Sequence, residues 1–596
     1  MKLNILLLIA LFPCLLLAQN KGEILPIGHS PSELELIQNG NIFNQNAALK
    51  NIETPPPFPV RTMAEWEEMQ AIVITWTAFT DVLTEIVRYA KEEVEVIIVA
   101  RDNQVTTIEN TLTANDITMD NVTIVTDNYN SIWVRDYGAN PVYANDVDSL
   151  ILIDWIYNRN RPRDDTIPET IANYFDVPIY NTTAAPMDLV NTGGNFMSDG
   201  LGTAFASKLV LEENGPSNIW GESNHTEEDV DQIMYDFMGI DEYIKMDVLP
   251  YDGINHIDMH MKLLDEQTLL IGDFLEGISD GPQLEANLLY VLDNFKTAFD
   301  TDFRVERIIQ PPCGNGSYPP NCSNAYEYRT YTNALFVNKT ILVPIYNTQY
   351  DDEALAKWAE MMPGYKIRGI DCTQIINSGG AIHCITKEVG VQDPLWIAHG
   401  ELPNLTFTEN TADYVVDAKI KHRSGIGYAT LSWTIDTLYG YAEMPMTLTN
   451  LDDDIWSATI PNQADGSEIF YYITAEANSG KMGIRPIVAP AGYFKFEINE
   501  VIATEDKLAA NSRFLKEIFP NPATSTTVIP VNMPQAMTAT IVLKNMLGQT
   551  VKTVFNGNIP AGESNYFINV KTVASGNYVV VLEGENGRSV QKLVIR

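Results

Sequence analysis

Cys384 stands in Gly379-Gly380-Ala381-Ile382-His383-Cys384-Ile385-Thr386, where two glycines run into a strand-like segment. Glycine at such a place lets a substrate approach the backbone and leaves the sulfur reachable. The chemistry on offer is nucleophilic attack by a thiolate; the alternative is a buried cysteine behaving as a small apolar side chain. His383 is a poor base for it, because neighbouring residues on a strand point to opposite faces. His256-Ile257-Asp258-Met259-His260 alternates polar and apolar, so a strand here would set all three polar side chains on one face. That face reads as a solvated strand, as an acid/base with a carboxylate anchor, or as a metal-ligand set.

Trp133-Val134-Arg135-Asp136-Tyr137-Gly138 places a carboxylate beside an arginine and two aromatics, which alone reads as a local ion pair at a strand end. Tyr157-Asn158-Arg159-Asn160-Arg161-Pro162-Arg163 is a dense basic cluster in an acidic chain. Arginine forks bind carboxylates through two hydrogen bonds, so the cluster suits an anionic substrate group. The other reading is a charged loop balanced by Asp164 and Asp165. Across the chain, 38 Lys+Arg against 78 Asp+Glu leave a net charge of -40. Such a surface repels phosphate backbones, which excludes general nucleic-acid binding; it suits a soluble protein or one whose substrates are cationic, and acidity alone does not choose between those.

The elements that must position these groups follow from length and pattern. At 596 residues the chain is too long for one core. Residues 1–18 have Lys2, an apolar run and Ala18 as a cleavage edge, the build of a secretory signal peptide. Cys14 lacks the small preceding residue of a lipidation site, and no later stretch has the length of a membrane span. Residues 19–60 read as a polar leader ending in a proline-rich spacer. From 61 to 405 strand-length apolar runs (71–76, 94–100, 122–126, 150–155, 268–272, 341–346) alternate with amphipathic stretches such as 82–93, 227–237 and 284–298. The pattern predicts an α/β region. A weak echo of the form motif, strand, turn, strand suggests cyclic symmetry with the motifs meeting at one end of an axis. Residues 406–500 alternate with period two and predict an immunoglobulin-like sandwich. After a linker at 501–516, residues 517–596 form a second all-β module. In an exported chain Cys313 and Cys322 flank a short loop suited to a bridge; if the remaining Cys372 and Cys384 stay unpaired, one of them should have a chemical reason to be a thiol.

Together these segments resemble the bacterial (Porphyromonas-type) peptidylarginine deiminase and agmatine deiminase family of the guanidine-modifying superfamily. The motifs are AEWEEMQAIVITW (64–76), WVRDYG (133–138), NTGGNFMSDGLGT (191–203), GINHIDM (253–259), YTNALFVN (331–338) and GGAIHCIT (379–386). The resemblance implies a five-bladed α/β propeller, the pentein fold, with the site at its centre. It matches Cys384 to the nucleophile, His256 to the general acid/base, and Asp136 and Asp258 to the carboxylates that grip the guanidinium. Asn333 lines the site, Trp133 forms a wall, and Arg159 and Arg161 contact the substrate's backbone or carboxylate end. No cofactor and no metal are implied. The expected reaction turns peptidyl-arginine into peptidyl-citrulline and ammonia. The alternative is agmatine, motivated by the acidic field and by Gly253, where the peptidylarginine form has tyrosine. The last eighty residues resemble the C-terminal sorting domain of type IX secretion, through FPNPA (519–523), NMLGQTV (545–551), SGNYVVVLEG (575–584) and KLVIR (592–596). The partners implied are arginine peptides or a small guanidine, and the type IX machinery. The chain is expected to be secreted or on the cell surface.

Overall fold

The computed structural model describes residues 24–42, 52–274, 277–406, 409–499, 514–533, 535–545, 549–584 and 587–596. The expected signal peptide and residues 501–513 of the expected linker lie outside the described residues. The chain divides into two compact units, one of Met1–Leu402, Tyr414–Ile460 and Ile469–Lys495, the other of Pro403–Asp413, Pro461–Glu468 and Phe496–Arg596.

In the first unit, residues 60–390 carry five small sheets among the described residues. Four are built alike: a short strand lies antiparallel to a central strand, which pairs in parallel with a third reached through a helix. Asn140–Ala144, Ser149–Trp155 and Ile179–Thr182 make one, with Ile167–Phe175 as the crossover helix and Val60–Thr62 added antiparallel to Asn140–Ala144 at the edge. Met197–Ser198, Thr203–Ser207 and Glu242–Met246 make the next, through Glu227–Met238. Met261–Asp265, Thr268–Asp273 and Arg304–Ile309 follow, through Gly281–Asn294. Leu335–Val337, Thr340–Ile345 and Lys366–Asp371 are joined by Asp351–Met361. The fifth sheet takes strands from both ends of the region: Lys387–Gly390 lies antiparallel to Met69–Thr75, which continues in parallel to Glu95–Ala100 and Val122–Thr126. Parallel neighbours need a crossover, and a helix packed on the sheet is the compact solution.

The central strands are buried along nearly their whole length, as in Glu95–Ala100, because both faces are covered, whereas outer strands such as Arg304–Ile309 and Lys366–Asp371 are partly exposed. The helices face them with one side only: Thr80–Ala90 buries Val82, Leu83, Ile86, Val87 and Ala90, each larger apolar side chain contributing ~1.5–3 kcal/mol.

The polar leader holds regular structure of its own. Pro31–Gln38 is a helix closed by a capping box, Ser30 accepting from the Glu33 amide while the Glu33 carboxylate accepts from the Ser30 amide. Ile27, ahead of it, is fully buried. Farther on in the first unit, Tyr414–Lys421 pairs antiparallel with Ile455–Ile460, and Ile426–Thr434 with Ala442–Asn450. Alternate residues of Tyr414–Lys421 are buried, the mark of a sheet covered on one face. Cys313 and Cys322 form a disulfide, and Cys372 and Cys384 are free and buried.

In the second unit, Thr526–Met533 pairs with Gly562–Asn569, and a four-stranded sheet runs Thr550–Ile559, Met537–Asn545, Gly576–Gly584, Gly587–Ile595. Ile529, Val531, Ile541, Leu543, Leu582 and Leu593 form its core.

Candidate active site

In each sheet the residues just ahead of the short antiparallel strand carry a polar motif. Asp136 precedes Asn140–Ala144, Thr192 and Gly194 precede Met197–Ser198, and His256 and Asp258 precede Met261–Asp265. Asn333 precedes Leu335–Val337, and Cys384 precedes Lys387–Gly390. The structure brings all five together. Cys384 Sγ lies 3.3 Å from Asn333 Nδ2 and 3.7 Å from Asp258 Oδ2. His256 Nδ1 is 3.5 Å from Asp136 Oδ1, and its Nε2 is 3.1 Å from Thr192 Oγ1. The Gly194 amide donates to Asp136 Oδ1 at 3.3 Å. Every one of these side chains is buried.

Burial leaves unpaired groups. Among the described residues, Asp136 Oδ2, Asp258 Oδ1 and His256 Nδ1 have no hydrogen-bond partner. An unmade hydrogen bond at a buried polar group costs ~1–3 kcal/mol, and more for a charged group. Two carboxylate acceptors beside a thiol match the planar, multi-donor, permanently charged guanidinium.

The electrostatics point the same way. Burial, followed by the charge of Asp258, pushes Asp136 up to about 7. Burial also pushes Asp258 upward, but the hydrogen bond and charge of His383, helped by His256 and Arg135, overcome it and hold Asp258 below the usual carboxylate range. Burial lowers His256 to about 4 against the pull of Asp258, so the resting imidazole is neutral. Burial, with Asp258 and Asp136, pushes the Cys384 thiol well up, so the resting sulfur keeps its proton. A cation seated between the carboxylates reverses that balance.

Some groups stand where the sequence reading did not put them. Ile257–Met259 is a short helical turn and not a strand, so period two does not apply. His260 is carried away from the site, to Met246, Met261, Leu269 and Leu288. The metal set of His256, Asp258 and His260 is therefore not assembled; among the described residues no three His, Cys, Asp or Glu side chains form one. Likewise His383–Ile385 is a turn, and the strand argument that set His383 aside fails. Its Nδ1 meets Asp258 Oδ2 at 2.8 Å and its Nε2 meets Glu65 Oε2 at 2.9 Å, so the ring bridges the two carboxylates. Arg135 pairs with Glu388 at 2.6 Å, not with its neighbour Asp136. Glu65 and Thr192 carry no role in the sequence reading. Both lie within the matched motifs, but nothing local marks Thr192 as buried or Glu65 as half-buried.

Gly194 has a stricter role than a flexible turn. A Cβ there would lie 2.5 Å from His256 Nδ1, 3.0 Å from Asp136 Oδ1 and 3.3 Å from Asp258 Oδ2. Gly194→Ala is expected to cut guanidine turnover by about 100-fold or more through misplacement of these groups. Steady-state kinetics alongside a thermal melt checks this; a parent-like rate would place the reaction elsewhere.

Trp133, Arg159 and Arg161 stand to one side and are engaged by the leader. Trp133 Nε1 donates to Leu25 O at 3.0 Å and Arg159 Nε to Ile27 O at 2.9 Å. Arg161 grips the Glu33 carboxylate at 2.7 and 3.1 Å. Both arginines are close enough for their charge to act on Asp136. Asp164 accepts from Ser131 and the Asn130 amide, so the loop is not simply self-balanced.

Residues 61–390 match the family of Porphyromonas-type peptidyl-arginine deiminases, and residues 517–596 match the secretion system C-terminal sorting domain. A Mycoplasma mycoides protein named "Putative agmatine deiminase" is 24% identical over 297 residues, spanning 45% of this chain and 77% of its own. A Legionella pneumophila protein of the same name is 26% identical over 286 residues, spanning 45% and 75%. A solved structure with that designation is 20% identical with a TM-score of 0.50, covering 58% of this chain and all of its own; it shows the fold alone. Among the described residues no helix is long and apolar enough to cross a membrane. The chain belongs to the Porphyromonas-type peptidyl-arginine deiminase family, a hydrolase of guanidino C–N bonds that carries a type IX secretion sorting domain and is secreted or held at the cell surface.

Proposed function

We propose that this enzyme converts peptidyl-arginine to peptidyl-citrulline and ammonia through a covalent intermediate on Cys384. The observation that carries the deiminase chemistry is the pair of unpartnered carboxylate oxygens, on Asp136 and Asp258, beside a buried thiol. In this reading the two carboxylates hold the guanidinium with its central carbon against the sulfur. The bound cation favours the thiolate, and neutral His256 takes the thiol proton. Sulfur adds to the carbon, and Asn333, 3.3 Å from Sγ, steadies it. The imidazolium of His256 returns the proton to the departing nitrogen, ammonia leaves, and a thiouronium remains. Water, deprotonated by the same ring, adds to that carbon. Collapse then breaks the C–S bond to give the ureido product and the thiol.

Trp133 walls the site and Arg159 and Arg161 read the peptide; their present partners include main-chain carbonyls and a carboxylate, the groups a peptide substrate offers. We also propose that the five sheets close into a five-bladed propeller, supported by the pairing of Lys387–Gly390 with Met69–Thr75. The division is catalytic at 61–405, immunoglobulin-like at 406–500, linker at 501–516 and sorting at 517–596, behind a signal peptide and leader.

The relatives' names favour a second reading, agmatine, more directly than they favour a peptide. Gly253 agrees with it, since nothing lies within 4 Å of a Cβ there and the side chain of the peptidylarginine form is missing. The test is ureido formation from a peptide ending in arginine, from an internal-arginine peptide and from agmatine. It is run on the full chain and on protein cleaved ahead of Ile52. The peptides are expected to react with a kcat/KM at least ~10-fold above agmatine's, and Arg159→Ala to erase that preference. Turnover of agmatine alone would remove the peptide reading.

A further inference from the structure

The leader lies outside the residues that match the family, 61–390, yet it is built into the wall of the site. Four consecutive carbonyls are taken. Leu25 O accepts from Trp133 Nε1 at 3.0 Å, Pro26 O from Arg161 Nη2 at 2.7 Å, Ile27 O from Arg159 Nε at 2.9 Å, and Gly28 O from Arg161 Nη2 at 2.8 Å. The Ile27 amide donates to Ser378 O at 2.9 Å. Contacts of this kind read the main chain, so they suit an extended peptide of varied sequence. The side chains add fit. Ile27 is fully buried against Gly379, where a Cβ would come within 2.6 Å of Ile27 Cγ2. Arg161 also holds Glu33, fixed in turn by the capping box of Pro31–Gln38. Residues 24–42 contain no arginine and no lysine, so the segment fills the wall without offering a group the site can convert. Cys384, His256 and Asn333, behind it, have no solvent exposure.

We propose that Trp133, Arg159, Arg161 and Ser378 form a groove for an extended peptide main chain, that Leu25–Gly28 occupy it in cis, and that substrate gains the guanidino pocket only when this segment leaves. The proposal rests on the reading of Cys384, Asp136 and Asp258 as the guanidino seat. It makes the secreted chain latent, to be activated by cleavage between the leader and the domain. It also makes the leader a competitor of the peptide, since both present carbonyls and a carboxylate to the same two arginines.

The experiment places a specific protease sequence between residues 43 and 51 of the full chain and compares uncut protein with cut protein freed of the leader. Labelling of Cys384 by chloroacetamidine, a guanidinium mimic, is followed beside turnover of arginine peptides and agmatine. Removal is expected to raise the labelling rate by at least ~10-fold, because the competent state is a minor fraction while the leader is bound. A synthetic peptide of residues 24–42 should restore the slow state in competition with arginine peptide. Glu33→Gln in the uncut chain, which weakens the hold of Arg161 without removing the segment, is expected to speed labelling as well. Equal labelling before and after removal, with folding verified by a thermal melt, overturns the proposal. Should removal unfold the domain, unchanged labelling of the Glu33→Gln chain overturns it instead. If removal accelerates labelling but no guanidine is turned over, the groove stands and the deiminase reading of the site falls.

Discussion

Cys384→Ser lowers ammonia release from any guanidine substrate by about 10⁴-fold or more, with little change in thermal stability. The substitution exchanges one atom, and the hydroxyl can keep the contacts that Asn333 and Asp258 make to sulfur. What it removes is an atom that becomes anionic when a cation is seated beside it. The thiol needs that help: burial, Asp258 and Asp136 hold it protonated in the resting protein. A serine hydroxyl starts far higher, and no guanidinium charge recovers so large a deficit. Cys372 supplies the control. It is equally buried, and burial followed by Asp371 pushes its thiol well up, but its amide is tied to Ile345 at the end of a parallel strand. Cys372→Ser should therefore keep the parent's turnover. The measurement is ammonia release by both variants at matched melting temperature; a parent-like rate from Cys384→Ser would end the covalent mechanism.

What the sequence made legible depended on whether a property is local. The strands came through because a buried parallel strand is apolar at almost every position, as Glu95–Ala100 is, and no tertiary knowledge is needed to see a β-branched run of that length. The polar motifs came through as clusters. Their geometry did not, since the period-two argument assumes a strand, whereas Ile257–Met259 and His383–Ile385 are turns. At these positions the chain leaves the sheet, and the side-chain directions are set by the turn, so His260 departs and His383 arrives. Glu65 is a harder case. It sits between apolar neighbours ahead of a strand, and only the fold brings Lys262 to within 2.9 Å of it and His383 to its other side. The leader's docking was equally out of reach, because its anchors are carbonyl oxygens that every sequence possesses.

Asp136→Asn gives the second large effect, and it separates activity from stability. Burial and the neighbouring Asp258 push Asp136 up to about 7, whereas its unfolded value is about 3.9. Between those values the folded protein keeps a proton that the unfolded chain has lost, so stability falls as pH rises from about 4 to about 7 and is level above. Asparagine cannot ionise. The variant should therefore melt at the parent's temperature near pH 4 and gain on it progressively up to about pH 7, the gain then staying constant. Catalysis runs the other way. A guanidinium needs the carboxylate, so kcat/KM of the parent should drop about tenfold per pH unit below about 7, while Asp258, held low by His383, adds no limb in that range. In Asp136→Asn that limb disappears together with about 10³-fold or more of kcat/KM, because an amide presents a donor where the substrate also presents donors and leaves the cation half neutralised. Melting curves and pH–rate profiles of the pair decide it. A variant that loses activity yet retains the limb at pH 7 would mean that another group carries that ionisation; a variant less stable than the parent at pH 8 would mean that Asp136 is paired in the resting site and that the guanidinium has no vacant acceptor to meet.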